Sequence, residues 1–187
     1  MDLKPSKCYA ELIPMAATAS ISIEEYLRTV YEPDAELVGG EVEERNVGEY
    51  LHNLAQRAIL FWFFQHESEW QIRSIQEQRT RLPWGDVRIP DISVWPRSTP
   101  PETVFTTPQL IAIEVLSPED RQSKAQEKIE DYRRFGVSHI WFVDPVRQIA
   151  WDCSSGNWIR VKRFEVAGTP IHMNLAALFK EVAEANQ

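Results

Sequence analysis

Cysteine is nearly absent from this chain. Only Cys8 and Cys153 occur among its 187 residues. They lie far apart and in no metal-ligand spacing, which excludes a disulfide framework and a zinc-finger module as what organises the fold. A long apolar run is also missing. The most apolar stretch, Ala58 to Phe64, falls far short of the roughly 20 residues that a membrane helix needs. The N-terminus carries no basic region followed by an apolar run, so no secretory signal is expected. The reading is a soluble, cytoplasmic protein with no membrane partner. Positive charge is in deficit, with 20 Lys and Arg against 28 Asp and Glu, a net charge of -8. That balance argues against a nonspecific nucleic-acid coat protein. It leaves a nuclease open, because carboxylates that chelate metal add negative charge at the site itself.

What is present fits one globular domain over residues 1–187, with residues 1–20 loosely held. The chain is 43% hydrophobic and 26% charged, and it holds seven tryptophans. Ser22 to Glu25 has capping-box spacing, so a short helix is predicted to about Tyr31. Glu36 to Glu43 reads as a hairpin turning at Gly39-Gly40. Asn46 and Glu49 offer a cap for a long helix from about Gly48 to His66. Trp70 to Leu82 reads as extended, and Val87 to Trp95 as one strand. A buried strand follows over Leu110 to Leu116. A helix is predicted from about Arg121 to Phe135, stopped by Gly136, then a strand over His139 to Asp144. Two strands, Ile149 to Cys153 and Trp158 to Phe164, form a hairpin, and Asn174 caps a last helix to Ala185. The strand-helix-strand order from Leu110 to Asp144 predicts parallel pairing, while short upstream turns predict antiparallel pairing. The fold class is therefore α/β, a central mixed sheet flanked by helices.

Glu114 is the informative residue. It interrupts the apolar run Ile111-Ala112-Ile113-Glu114-Val115-Leu116, and an unpaired buried carboxylate costs several kcal/mol or shifts its pKa. It needs a cation, a metal ion or a proton. Asp91, after Pro90 at the start of a neighbouring apolar strand, could share a divalent metal with it. In the following helix Ala125, Lys128, Ile129, Tyr132 and Phe135 form one stripe, which places an ammonium on a core-facing position. Two carboxylates and a lysine suit metal-assisted phosphodiester hydrolysis, since Mg²⁺ takes a few carboxylate oxygens and leaves room for phosphate.

Pro90-Asp91, Glu114-Val115-Leu116 and Lys128 resemble the motif of the PD-(D/E)XK nucleases. With Gly40-Glu41-Val42, Ser117-Pro118 and Trp141-Phe142-Val143-Asp144-Pro145, the chain more narrowly resembles the Uma-type family of restriction-endonuclease-like proteins, over roughly residues 21–179. The resemblance implies a restriction-endonuclease-like core, DNA as substrate and Mg²⁺ as cofactor, with Mn²⁺ as a substitute. It assigns metal binding to Asp91 and Glu114 with the backbone carbonyl of Val115, and a further role to Lys128. It adds Glu41 as a completing acid and His52 as a nearby histidine. The superfamily's strand lysine is Leu116 here, so that role passes to the helix, to Lys128 or to Lys124 one turn earlier. A homodimer is expected, through Phe61 to Phe64 or the hairpin of residues 149–164.

Other readings stay open. Glu114 and Lys128 could be only a buried ion pair joining strand to helix. Glu41 could be a solvated hairpin charge, and His52 a capping or core histidine. Arg73, Arg79, Arg81 and Arg88 could line a positive ribbon for phosphates or an ordinary solvated face. A non-catalytic nucleic-acid-binding or partner-binding protein, and an RNA nuclease, are the rival functions.

Overall fold

The computed structural model describes residues 20–186 except 33, 46–48 and 119. The expectations for residues 1–19, the cap at Asn46 and the helix start at Gly48 lie outside the described residues; Glu49 stands at the N-cap without a side-chain capping bond. Helix α1 (Ile23–Arg28) opens at Ser22, whose hydroxyl accepts the Glu25 N–H. Strands β1 (Ala35–Val38) and β2 (Glu41–Glu44) form the expected hairpin. Gly39 and Gly40 turn it at φ +58° and +82°, which side chains resist.

Helix α2 (Tyr50–Trp70) is longer than the sequence indicates. It buries Leu54, Ala55, Ala58, Ile59 and Phe63 and ends on Trp70, whose ring packs edge-on to Phe63. Three strands follow, β3 (Ile72–Gln76), β4 (Thr80–Arg81) and β5 (Val87–Arg88), and then β6 (Ile92–Pro96) and β7 (Ile111–Val115). The run Val87 to Trp95 is thus two strands, broken at Pro90-Asp91. Pro90 has no N–H to donate, so it cannot continue a ladder. The chain changes sheets there: β5 joins β2-β1-β5-β4, and β6 joins the central sheet.

Helix α3 (Gln122–Phe135) stops at Gly136, φ +103°. Strand β8 (His139–Asp144) then pairs parallel with β7, while β6 pairs antiparallel with it. Strands β9 (Ile149–Asp152) and β10 (Ile159–Val161) complete the central sheet, in order β10-β9-β8-β7-β6-β3. What reads as one strand to Phe164 divides, and β11 (Arg163–Glu165) pairs instead with β12 (His172–Asn174). Asn174 caps the closing helix α4 (Leu175–Ala185) through the Ala176 and Ala177 N–H groups.

Period-two alternation sorts the central sheet into two apolar faces. Ile92, Val94, Ile111, Ile113, Val115, Trp141 and Val143 pack with α2 and α4, where Trp141 stacks on Phe164 with centroids 4.4 Å apart. Ala112, Ile140 and Phe142 pack with Ala125, Ile129, Tyr132 and Phe135 of α3. This is the expected α/β architecture, a central mixed sheet with helices on both faces. Among the described residues no helix is long and apolar enough to cross a membrane.

Candidate active site

A cleft of about 430 Å³ opens where the two larger sheets meet α2 and α3. Its three buried carboxylates arrive from different parts of the chain. Glu36 points in from the middle of β1, Asp91 from the break between β5 and β6, and Glu114 from the end of β7. All three carboxylates are buried, at 3%, 4% and 5% exposure. Lys128 reaches them from α3. Its Nζ lies 3.0 Å from Glu114 Oε2 and 3.4 Å from Glu36 Oε1, so one ammonium bridges two acids. Tyr132, one helical turn on from Lys128 and on the same stripe, donates its hydroxyl to Glu114 Oε1.

Asp91 is held from three sides. Its Oδ1 accepts from Arg45 Nη2 at 2.8 Å. Its Oδ2 accepts the Val115 N–H at 2.7 Å and lies 3.3 Å from His52 Nε2. The Val115 amide therefore ties the Pro-Asp corner to the residue next to Glu114, which explains how two distant segments share one site. Glu36 accepts from Arg88 Nη1 at 2.9 Å and from the Ile89 N–H at 2.8 Å. Arg88, itself 2% exposed, also donates to Asp131 of α3.

Electrostatics divides the three acids. Burial dominates at Glu114, with Asp91 and Glu36 adding repulsion, and its carboxyl is pushed up to about 7 although Lys128 and Tyr132 oppose the rise. At Asp91 burial also works upward, but His52, Lys128 and Arg45 outweigh it and hold the carboxyl below the ordinary range. At Glu36 burial is likewise overcome, by Lys128, Arg88 and the Ile89 N–H, and its carboxyl falls. Burial would lower the His52 imidazole, yet the Asp91 hydrogen bond and charge carry it above its ordinary value. Lys128 is shifted upward in the same way, burial being outweighed by Glu114, Glu36 and Asp91. Two acids of depressed pKa beside one poised near neutrality is the arrangement of a site that handles protons or cations.

Among the described residues, no group of three or more His, Cys, Asp or Glu side chains is gathered so as to hold a metal ion alone. Mg²⁺ makes no such demand. It binds through one or two carboxylates and completes its octahedron with waters and substrate phosphates. Asp91 and Glu114 are the carboxylates that could hold such an ion, and Val115 lines the same cleft. A cation there would take over carboxylate oxygens now held by Arg45 and Lys128.

Five residues singled out from the sequence, Asp91, Glu114, Val115, Lys128 and His52, line this one cleft. Glu41 does not. It stands exposed at the turn end of β2, paired with Val38, two residues and roughly 7 Å along the strand from Glu43, which does line the cleft. The third buried acid is Glu36. The signal that revealed Glu114 applies to it equally, a carboxylate inside the apolar strand Ala35-Glu36-Leu37-Val38. Lys124 lies on the rim, 2.6 Å from Glu43 and half-exposed, so Lys128 is the lysine at the buried acids. The positive ribbon does not form. Arg88 is sealed between Glu36 and Asp131, Arg79 pairs with Asp34, and Arg73 donates to the Thr99 carbonyl. Trp62 donates to the His172 carbonyl and packs on the core, whereas Phe61 and Phe64 are exposed.

Residues 23–175 match the Uma2 family, described as "Putative restriction endonuclease". The fold matches a crystal structure from Anabaena variabilis ATCC 29413, described as a "putative nuclease belonging to DUF820". The TM-score is 0.71 at 20% identity, covering 87% of this chain and 99% of that one. No curated protein matches the chain. With its family match running from α1 to the start of α4, the chain belongs to the Uma2 family of restriction-endonuclease-like nucleases.

Proposed function

We propose that this chain is a Mg²⁺-dependent endonuclease that hydrolyses phosphodiester bonds in DNA, within a single domain. The observation that carries the reading is the convergence of Asp91, Glu114 and Lys128, from three separate elements, on one cleft. Asp91, Glu114 and the Val115 carbonyl would hold the metal. Bound there, a divalent ion supplies charge neutralisation at the phosphate and a more acidic water; Mn²⁺ would substitute.

The chain's own groups have distinct parts. Lys128 keeps its proton, so it orients the attacking water and stabilises negative charge on the phosphate rather than acting as a base. Glu36 shares that ammonium and, with Arg88, fixes its direction. Tyr132 holds the Glu114 carboxylate in one rotamer. His52 and Arg45 keep Asp91 ionised at the cleft wall. In-line displacement leaves the phosphate on one product end. Exposed Phe61 and Phe64 on α2 offer an apolar contact for a homodimer.

The saturation of the carboxylates by Lys128, Tyr132, Arg45 and His52 favours a second reading, a nucleic-acid-binding protein that keeps the nuclease fold without cutting. Plasmid nicking with Mn²⁺ decides between them. Wild type should nick, and Asp91→Ala and Lys128→Ala should not; equal activity in all three would assign the cleavage to a contaminant. Calorimetry with Mg²⁺ should show binding to wild type and none to Glu114→Ala. Competition between duplex DNA and single-stranded RNA tests the substrate assignment.

A further inference from the structure

A second cavity, of about 420 Å³, opens beside the acidic cleft. Ser117, Asp120 and Arg121 line both, so the two flank one loop. The proposed function makes no use of this space. Its floor is apolar: Leu116 just past the end of β7, Ala125 of α3, and the indoles of Trp151 and Trp158. The two indoles stand nearly perpendicular, at 84° with centroids 5.4 Å apart. Trp158 is fixed by donating its Nε1 to Gln126 Oε1 at 3.1 Å. Its ring also packs on buried Phe142. The rim is polar and of mixed sign. Arg121 and Arg147 bring cations, Asp144 and Asp120 carboxylates, and Gln122 a group that both donates and accepts.

We propose that this cavity is the seat of an unpaired nucleobase next to the phosphate bound in the acidic cleft. The inference rests on the nuclease reading and names its substrate class, a strand with at least one base out of the helix. A planar heterocycle needs an aromatic face to stack on, and donors and acceptors for its edge; the cavity supplies both. Its volume lies in the range of pockets that enclose small ligands, about 300–1,000 Å³. A base in an intact duplex already has both faces covered, so only an unstacked base can enter. Shared Arg121 is placed to meet the sugar-phosphate between the two sites.

The test is binding in EDTA, which stops cleavage. Anisotropy of labelled oligothymidylate, oligouridylate and a matched duplex is compared for wild type, Trp151→Ala and Val146→Glu. Val146 lines the cavity but is 53% exposed, so its replacement tests the site even where Trp151→Ala fails to fold. Loss of the stacking indole in Trp151→Ala, and the bulk and negative charge set into the cavity by Val146→Glu, should each weaken oligonucleotide binding about tenfold while leaving the matched duplex within about twofold. Oligothymidylate should quench wild-type tryptophan fluorescence. Unchanged oligonucleotide affinity in both folded variants, or an equal loss on the duplex, would overturn the proposal. Failures separate cleanly. Asp91-dependent nicking with no effect of Val146→Glu sinks the base site alone. Quenching and the tenfold loss without Asp91-dependent nicking sink the nuclease reading alone.

Discussion

Glutamine at position 114 removes one charge from the site and keeps its shape. The amide oxygen can accept from Lys128, and the amide nitrogen can donate to the Tyr132 oxygen, so both contacts have a replacement. In wild type the Glu114 carboxyl rises from an ordinary 4.5 to about 7, burial being the main cause. Between those values the native state holds a proton that the unfolded chain has released. Stability from this group is therefore complete below about pH 4.5 and is lost as pH rises through about 7. A gap of that size is worth about 3 kcal/mol. Urea unfolding in EDTA, at a series of pH values from about 4.5 to 8, measures it. Asp91 and Glu36 titrate in both proteins and largely drop out of the difference. Glu114→Gln minus wild type should climb by about 3 kcal/mol in favour of the variant across the series. A difference that stays flat would refute the buried, repelled carboxylate on which the site is built. The same variant should lose Mn²⁺-dependent nicking.

Arg88→Met should cost about 3–5 kcal/mol in urea unfolding, because it strands Glu36 and Asp131 beside a lost guanidinium; a loss below about 1 kcal/mol would mean the pair is solvated. His52, shifted upward by Asp91, contributes stability that is whole below about pH 6.5 and is lost as pH rises through its higher folded value. An NMR titration should find its midpoint above 6.5, and Asp91→Asn should bring that midpoint down. Glu41→Ala should leave nicking intact and stability within about 0.5 kcal/mol, whereas Glu36→Gln should reduce nicking by loosening Lys128. The reverse outcome would return the third acid to the hairpin turn.

The parts that sequence made legible share one trait: their determinants are local. A carboxylate inside an apolar run announced Glu114, the stripe on α3 announced Lys128, and Gly136 and Asn174 marked helix ends at the positions the structure shows. What stayed hidden depends on partners distant in sequence. Val87 to Trp95 looks continuous, and only pairing of β5 with β1 and of β6 with β3 and β7 divides it. Helix α2 runs past His66 because Trp62, His66 and Trp70 cluster in space, and Gln71 ends it at φ +53° without a glycine to advertise the stop. Arg88 looked like a surface charge until Glu36 and Asp131 closed around it. Glu36 carries the same local mark as Glu114, a carboxylate in an apolar strand, but its hairpin holds several other acids, and only burial against Arg88 and Lys128 separates it from them.

Leu116 follows Glu114 by two residues and projects to the same side of the sheet, toward α3. With the ammonium at the buried acids carried by α3, this position takes an apolar side chain, and that side chain also lines the neighbouring tryptophan-walled chamber. One leucine thus belongs at once to the packed core under α3 and to the wall of the second chamber.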